Sequence, residues 1–592
     1  MSLLYLVGAF IAVAVFVSVQ SAREAKAKIL RQIRNNWGKR GTKKYRDEDM
    51  EKIRSLADAE SLKAAYFVDD ITWDDLNMDD VFAAMNNTGS GIGQEVLYRN
   101  LRIPRSDEGL AQIDRIADYY GTDANEKERV HVQQIFAEMG KPKKAAIYDY
   151  IEVLGDLKRD SNLPHILAIV LIIAAVGVMV GVNAQIGMLA LIGALGYAIL
   201  SYYKIRAKHQ AYFVCVKLMA SMAKTVQKLA HGHFTGLEPE QKRLDELAAA
   251  LSDITRFGSI LESGNVNGSI VEMFLDYFRM MFHLDLLVFN RTVEKVREHA
   301  AEVYEAYELL GTVDSSIAVA SFRALLGYWC KPEIVTSAPR SEAGNSLAPH
   351  AEARSLVLED AYHPLIENPV ANSISTQSHV LLTGSNASGK STFLRTVAIS
   401  AILAETIFTV PAKRAELPKY RIYSSMSLKD SLATKSSYYM VEVQALKRIL
   451  DAAAYSATGG EKLAAGEKDA METSASAAPV LCFVDEILRG TNTVERIAAS
   501  SEIMRYLAEQ NALVFAATHD IELTKMLDGP YTNYHFQEDV QEDGISFSYE
   551  IHLGPAVTRN AIKLLKVMGY DERITEAAEE KAHEFLEKGS WS

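Results

Sequence analysis

A glycine-rich stretch with one lysine and several hydroxyl side chains, GSNASGKS, occupies residues 384–391. Gly384 and Gly389 let the backbone curl so that successive N–H groups face one point, which suits the oxygens of a phosphate chain. Lys390 can reach the β- and γ-phosphates, and the hydroxyl of Ser391 can ligate Mg²⁺. We therefore predict a site for ATP with Mg²⁺. Its predicted ATP-binding residues are Gly384, Ser385, Asn386, Ala387, Ser388, Gly389, Lys390, Ser391 and Thr392.

Two further apolar runs end in polar side chains that suit the same chemistry. The run 480–484 (VLCFV) ends in Asp485 and Glu486, and the run 513–517 leads to Thr518 and His519. One carboxylate at a strand tip can hold the metal, and the next can polarise the attacking water. Asp485 is predicted as a metal ligand beside Ser391, and Glu486 as the catalytic base. His519 is predicted to sense the γ-phosphate or orient water, so the predicted catalytic residues are Glu486, His519 and Lys390.

The elements around the glycine-rich stretch are those that such a site requires. Residues 379–382 (HVLL) predict a strand entering it, and residues 391–406 are apolar at helical spacing. The order strand, glycine loop, helix is the context of a P-loop. The predicted fold class of this region is therefore an α/β P-loop ATPase.

Four segments together resemble the ATPase domain of the MutS family. They are TGSNASGKST (383–392), SSYYMVEV (436–443), LCFVDEILRGTNT (481–493) and FAATHDIELT (515–524). The resemblance implies an ABC-type, MutS-like P-loop domain that hydrolyses ATP with Mg²⁺ and pairs with a second copy. It implies that Ser437 reaches the triphosphate held by the opposite subunit of a homodimer, and that His535 contacts the base.

The resemblance is looser upstream and leaves parts of the family out. Residues 68–101 resemble the start of the MutS core domain, and residues 310–335 its return to the ATPase domain. Before Tyr66 there is room only for an anchor and a basic segment, so no mismatch-reading domain is expected. Residues 369–372 (PVAN) stand where the family places an aromatic that stacks on adenine, which indicates weakened stacking there.

The length, the net charge and the cysteine content of the chain limit the kinds of protein that it can be. A chain of 592 residues is too long for one core. Its formal net charge of −13 argues against a surface that is basic overall, although a local basic stripe remains open. The three cysteines are far apart and have no metal-ligand spacing, which predicts buried thiols in a reducing compartment.

The N-terminus begins with an uncharged apolar run, residues 3–19, near the lower length for crossing a bilayer. A cleaved signal peptide is the alternative, but positive charge would then precede the run, and none does. Between Ser21 and Arg46 there are instead ten Lys or Arg and one acid. This bias predicts an anchor with the N-terminus outside and the remainder in the cytosol. The basic stretch could also touch anionic lipid or nucleic acid, or act only as topogenic charge.

A second apolar region, residues 166–203, is long enough to cross twice. Basic residues flank both ends, at 158–159 and 204–208, so both ends are predicted to be cytosolic. A buried helical pair in a soluble core is the alternative. The prediction is a multi-pass cell-membrane protein with three transmembrane helices and a cytosolic ATPase domain.

We predict seven segments along the chain. They are a transmembrane anchor (1–20), a basic cytosolic linker (21–65), a first helical part of a MutS-like core (66–160), a transmembrane hairpin (164–204), a helical core or lever (205–345), a MutS-like ATPase domain (346–560, with a flexible insertion at 457–478) and a C-terminal helical dimerisation segment (561–592).

Two functions fit these features. By family resemblance, the first is a membrane-anchored ATP-dependent dimer switch that binds DNA in a repair-related role. The second is a DNA-independent membrane ATPase that acts on an unknown protein partner or on its own membrane helices. Transport is disfavoured, because the three spans contain no charged residue.

Overall fold

The protein is described by a computed structural model that covers most of the chain. The described residues are 2–41, 43–142, 146–156, 161–262, 277–335, 355–385, 388–426, 438–457, 478–541, 544–556 and 561–588. They form two compact units. The first consists of residues 1–59, 85–99 and 112–325, and the second of residues 60–84, 100–111 and 326–592.

Within the described residues, every regular element before residue 326 is helical. In chain order the helices are α1 (Ser2–Asn36), α2 (Asp47–Ser61), α3 (Asp70–Asp75), α4 (Met78–Met85), α5 (Gly91–Arg102), α6 (Asp107–Gly121), α7 (Glu126–Met139), α8 (Ile147–Glu152), α9 (Leu163–Gly181), α10 (Ala184–Lys208), α11 (Gln210–Gly232), α12 (Glu238–Ala250), α13 (Ser252–Glu262), α14 (Leu284–Glu298) and α15 (Ala300–Leu325).

The core of the first unit forms around α11 and α15. Apolar side chains recur on the inner faces of these helices at helical spacing, among them Val216, Ala223 and Tyr307, which are fully or almost fully buried. They pack against side chains of α5, α6 and α7, such as Ile92 and Phe136. This is the helical core that the sequence predicts.

A buried carboxylate ties α5 to α15. Asp314 is 1% exposed, and it accepts hydrogen bonds from the backbone N–H groups of Gly89 (2.9 Å) and Ser90 (2.8 Å) and from the Ser90 hydroxyl (2.6 Å). These N–H groups lie just before the first turn of α5, where a negative charge is favoured by the helix dipole. Gly93 faces Asp314 so closely that a Cβ there would lie 2.7 Å from the Asp314 Cβ.

Helices α9 and α10 form a tight antiparallel hairpin. The side chain of Asn183 caps α10 by accepting from the N–H groups of Gln185 (2.9 Å) and Ile186 (3.1 Å). A small apolar cluster, including Ile172 and Ala198, joins the two arms. Most of the other apolar side chains face outward, and Val180 is 81% exposed.

The base of the hairpin is fixed to α14 by polar contacts. His165 of α9 lies 3.0 Å from His283, Nδ1 to Nδ1, and Tyr202 of α10 donates to Asp285 at 2.6 Å. The C-terminal end of α10 leads into α11 with only His209 between the two helices. The N–H of His209 still bonds to the carbonyl of Ile205 at 3.2 Å. The hairpin is therefore an extension of the core helices.

Two helices, α9 and α10, are long and apolar enough to cross a bilayer. The prediction of three such helices is thus corrected to two for the part of the chain that the structure describes. The apolar run at residues 3–19 belongs to α1. This helix is 35 residues long in all and extends into the basic stretch as far as Asn36. Side chains before residue 16 lie outside the described ones.

The region predicted as a linker, residues 21–65, contains the second half of α1 and all of α2. The end of α1 contacts α7, where the Arg129 guanidinium lies 3.7 Å from the ring centre of Trp37. Arg34 also approaches Glu126 at 3.9 Å. The basic stretch is therefore partly ordered against the helical core.

All the strands in the part of the chain that the structure describes belong to the second unit. They are β1 (Glu333–Ile334), β2 (Leu356–Ala361), β3 (Asn372–Thr376), β4 (His379–Thr383), β5 (Arg414–Leu417), β6 (Arg421–Ser425), β7 (Val480–Asp485), β8 (Ala512–Ala517), β9 (Tyr531–Gln541) and β10 (Gly544–Leu553). Its later helices are α16 (Lys390–Ile407), α17 (Tyr438–Ala457), α18 (Thr493–Glu509), α19 (Ile521–Met526), α20 (Ala561–Val567) and α21 (Glu572–Lys588).

These strands form a small and a large sheet. The small one has the order β1-β5-β2-β3, and the large one β10-β9-β4-β8-β7-β6. From β9 to β6 the large sheet is parallel, and every residue of β4, β7 and β8 is buried. Buried parallel strands joined through helices are the α/β architecture that the sequence predicts. The predicted insertion, residues 457–478, lies almost entirely outside the described residues.

The second unit also buries a carboxyl group, on Glu405 of α16, which makes its stability depend on pH. Burial raises the pKa of Glu405 from 4.5 to about 8, against the opposing effects of a hydrogen bond from the Tyr420 N–H (2.7 Å) and the charge of Lys419. The folded protein then holds a proton that the unfolded chain releases above about 4.5. The free energy of unfolding should therefore fall as the pH rises from about 4.5 to 8, and level off above.

A Glu405→Gln variant keeps the carbonyl oxygen that accepts from Tyr420 but cannot ionise. We expect its thermal unfolding temperature to fall less between pH 4.5 and 8 than that of the parent, which also loses the contribution of this group. Glu359→Gln, which removes an exposed carboxylate of β2, should leave the parent's pH dependence unchanged. Parallel pH profiles of the parent and Glu405→Gln would contradict the assignment.

Candidate nucleotide site

Three parallel strands end at the same edge of the large sheet and carry the predicted site. Strand β4 leads into the glycine-rich loop, its neighbour β8 into Thr518 and His519, and β7 ends in Asp485. Carboxyl ends of parallel strands share one edge, which is where α/β sheets bind ligands. The backbone supports the arrangement, because the Thr518 N–H bonds to the carbonyl of Leu382 at 2.9 Å.

The glycine-rich loop has the backbone that its glycines allow. Gly384 has φ = 144° and Gly389 φ = 110°, values that favour glycine. A Cβ at Gly384 would also lie 3.0 Å from both the Phe536 carbonyl oxygen and the Ser388 hydroxyl. The hydroxyl of Ser388 in turn bonds to the carbonyl of Ser385 at 2.9 Å. Asn386 and Ala387, predicted in the same loop, lie outside the described residues.

The loop lysine is directed inward. Lys390 is 5% exposed, and its Nζ donates to the carbonyls of Gly384 (2.8 Å) and Ser385 (2.7 Å). The loop's own carbonyl oxygens accept from this ammonium group, and the oxygens of a phosphate could take the place of those carbonyls. The Lys390 geometry thus fits the predicted phosphate contact.

A hydroxyl and a carboxylate meet where the metal is predicted. The Ser391 hydroxyl donates to Oδ2 of Asp485, which joins the first turn of α16 to the end of β7. Thr392, the next residue of that turn, is exposed. Among the described residues no cluster of three or more His, Cys, Asp or Glu side chains could bind a metal ion. The Ser391–Asp485 pair suits a cation such as Mg²⁺, which keeps most of its ligands as water and phosphate.

Glu486 and His519 are in direct contact. Oε1 of Glu486 lies 2.8 Å from Nε2 of His519, and that nitrogen lies 3.4 Å from Nζ of Lys390. The other carboxylate oxygen of Glu486 pairs with Arg489. Burial raises the pKa of Glu486, but the hydrogen bond from His519 and the charges of Arg489 and His519 outweigh it and lower the pKa to about 2.

The backbone that carries Glu486 is strained. Glu486 has φ = 56° and Leu488 has φ = 58°, in the left-handed region that non-glycine residues rarely adopt. Each such residue raises the energy by about 1–3 kcal/mol and persists only when its surroundings hold it. Here the Glu486 N–H bonds to the carbonyl of Ala517 at 2.9 Å, and Leu488 is 5% exposed. The turn after β7 is thus held in place by its packing.

His535 lies beside the entry to the glycine-rich loop. It stands on β9 opposite Thr383, and its Nδ1 is 2.9 Å from the carbonyl oxygen of Gly554. The Thr383 hydroxyl accepts from the N–H of Ala556 at 2.9 Å, which closes the β9–β10 hairpin over the same end of β4. Ser437, predicted to act across the dimer, lies outside the described residues.

Further charged residues near the site were not identified from the sequence. Arg489 pairs with Glu486, and the carboxylate of Glu442 accepts from the Arg489 N–H. Arg496 forms two hydrogen bonds with Asp520, of 3.0 and 2.6 Å, next to His519. The sequence did indicate that these residues lie inside or beside the motifs quoted above. Charged side chains at such positions need a partner when they are partly buried, and this could have pointed to them.

Comparison with known proteins identifies the same region. A family profile described as MutS domain V matches residues 380–458 and 468–586. The chain is similar to the DNA mismatch repair protein MutS of Thermus thermophilus (29% identical over 296 residues) and of Natronomonas pharaonis (26% over 303). It is also similar to the DNA mismatch repair protein MutS 2 of Haloarcula marismortui (28% over 313).

These similarities cover 49%, 49% and 50% of this chain, respectively. They cover only 31%, 31% and 30% of the relatives, so the chain spans about a third of the length of the curated relatives it matches.

Proposed function

Because the chain belongs to the MutS family through its domain V, we propose that it is a Mg²⁺-dependent ATPase whose domains work in pairs. The observation that carries this proposal is the meeting of Ser391 with Asp485 and of Glu486 with His519 at one sheet edge. The inward Lys390 beside them completes a set that suits phosphoryl transfer to water.

In this mechanism the chain's own residues bind, orient and accept a proton. Backbone N–H groups of the glycine-rich loop and Lys390 bind the phosphates, and the amino group exchanges its loop carbonyls for phosphate oxygens. Ser391 and Asp485 would hold Mg²⁺, which supplies charge neutralisation at the phosphates. Glu486 accepts the proton of the attacking water, and His519 orients its carboxylate.

The resting arrangement keeps Glu486 a weak base. A carboxyl with a pKa of about 2 holds a proton poorly near neutral pH, and efficient general bases have a pKa near the working pH. We propose that turnover requires Glu486 to loosen its contact with Arg489, which raises the pKa of the carboxyl, while His519 continues to orient it. Closure of two ATPase domains around the nucleotides is the step that we propose does this, with Ser437 reaching the triphosphate of the partner subunit and His535 beside the base.

We place the hairpin α9–α10 in a membrane and the ATPase domain in the cytosol. Support comes from the length of the two helices and from outward apolar side chains such as Leu189, which is 73% exposed. The basic residues at 204–208 favour a cytosolic end for α10.

What the switch acts on is proposed in two forms. The named relatives are DNA mismatch repair proteins, which favours DNA binding in a related role. The exposed apolar hairpin and the net charge of −13 favour the second form, an ATPase that acts on a protein partner or on its own membrane helices. DNA binding would show as an affinity that falls steeply with salt, and its absence at low salt would leave only the second form.

The ATPase is tested with the full-length chain solubilised in detergent. We expect Mg²⁺-dependent release of phosphate from ATP, lost on removal of Mg²⁺ with a chelator and lost in Lys390→Ala. Lys413→Ala, which removes an exposed lysine paired with Asp360, serves as the control and should retain turnover. Turnover that persists in Lys390→Ala would disprove the assignment of the site.

A further inference from the structure

A buried carboxylate on α17 contacts the strained turn that carries Glu486. Glu442 is 4% exposed, and its Oε1 accepts a hydrogen bond from the backbone N–H of Arg489 at 3.1 Å. Its Oε2 is buried and has no hydrogen-bond partner within the part of the chain that the structure describes. An ionisable group buried with half of its acceptors unused is unfavourable for stability, so packing alone does not account for a glutamate here.

The turn that Glu442 contacts is held at several points. At its far end Gly490 packs on the first turn of α17, where a Cβ would lie 3.3 Å from the Cβ of Tyr439. At its start the Glu486 N–H bonds to Ala517 on β8, and further along the Ser500 hydroxyl donates to the carbonyl of Ile487 at 3.4 Å. Glu486 and Leu488 have left-handed conformations within this turn, which non-glycine residues keep only where neighbours impose them.

We propose that Glu442 is a positioning residue that holds this turn so that the Glu486 carboxylate faces His519. The inference rests on the proposed ATPase and adds a control point to the same site. A displacement of α17 moves the Arg489 backbone through Glu442 and thereby moves Glu486. Because α17 begins at Tyr438, directly after Ser437, contact with the nucleotide of the partner subunit reaches the catalytic carboxylate by this route.

The test compares two substitutions at Glu442 with a matched buried glutamate. Glu442→Ala removes the acceptor, whereas Glu442→Gln keeps a carbonyl oxygen for the Arg489 N–H. Glu405→Ala is the control, because Glu405 is likewise buried and accepts one backbone N–H, from Tyr420, which precedes the amino end of β6, whereas the site lies at the carboxyl ends of the strands. Each variant is measured for kcat, for KM and for binding of a fluorescent ATP analogue, per folded protein.

We expect Glu442→Ala to lower kcat by about 10- to 100-fold through misplacement of Glu486, with KM and analogue binding unchanged. Glu442→Gln should recover most of the loss, and Glu405→Ala should lower the unfolding temperature but leave kcat intact. An unchanged kcat in Glu442→Ala, or an equal loss in Glu405→Ala, would overturn the inference while leaving the ATPase standing. A parent protein that binds the analogue but never hydrolyses ATP would overturn both.

Discussion

Replacing Glu486 with glutamine is expected to lower ATP turnover by about 100- to 10,000-fold while ATP binding is retained. The amide keeps the size of the side chain and can still contact His519 and Arg489, but it cannot accept a proton from water. The Lys390 and Ser391 contacts that bind phosphate and metal are untouched, so the nucleotide should remain bound. Turnover is measured as phosphate release, and binding with a labelled ATP in the presence of Mg²⁺.

A second consequence separates the switch from simple binding. If closure of two domains precedes hydrolysis, the Glu486→Gln protein should accumulate as an ATP-bound dimer, detectable by light scattering in detergent. Glu495→Gln, which neutralises an exposed glutamate in the first turn of α18, controls for the loss of one charge nearby. Full turnover in the Glu486→Gln protein would refute the assignment of the base.

The largest effect on stability is expected from Gly93→Ala in the helical unit. A methyl group at residue 93 would overlap the Asp314 carboxylate, which is buried and bonded to the N–H groups at the start of α5. Moving the carboxylate away breaks those bonds and leaves a charged group buried without partners. Over-packing and lost hydrogen bonds together should reduce the free energy of unfolding by about 3 kcal/mol.

Gly121→Ala is the matched control for that experiment. Gly121 ends α6, and a Cβ there would lie 4.0 Å from the Cβ of Ala320, an ordinary contact. Alanine favours helix over glycine, so a change within about 1 kcal/mol in the stabilising direction is expected. Both variants are compared by hydrogen exchange of the helical unit, because a chain of two units need not unfold in one step. Equal protection in the Gly93→Ala and parent proteins would refute the packing argument.

The gathering of the candidate site residues at one sheet edge could be predicted from the sequence, because these residues follow strands. The glycine loop, the acidic pair and His519 each come directly after an apolar run, and parallel strands bring such ends together. The contacts of Arg489 and Glu442 could not be predicted in this way. They depend on how the turn after β7 folds back on α17. The left-handed backbone at Leu488 could not be predicted either, because leucine rarely adopts that conformation and its presence does not indicate it.

The apolar hairpin and the N-terminal helix show a different limit. Length and composition predict α9 and α10 as helices long and apolar enough to cross a bilayer, and the structure has both. At residues 21–36 the charge count indicates a solvated segment, but alanine, lysine, arginine and leucine also favour helix, and α1 continues through them to Asn36. The charge pattern thus predicts an unstructured segment, whereas the helix propensities predict a helix. The structure has the helix, and the contact of Trp37 with Arg129 fixes its end against α7.

Because α10 leads into α11 almost without a break, a small tilt at the base of the hairpin gives a larger displacement at its tip. Helix α10 is fixed to α14 at Tyr202, and the stretch from there to Asn183 gives, at about 1.5 Å per residue, an arm of about 28 Å beyond that contact. A tilt at the base of the arm by about 10° therefore sweeps the distal turn at Asn183 through about 5 Å, while the core side chains around Val216 shift far less. Small rearrangements among the core helices are in this way converted into larger displacements at the tip of the hairpin.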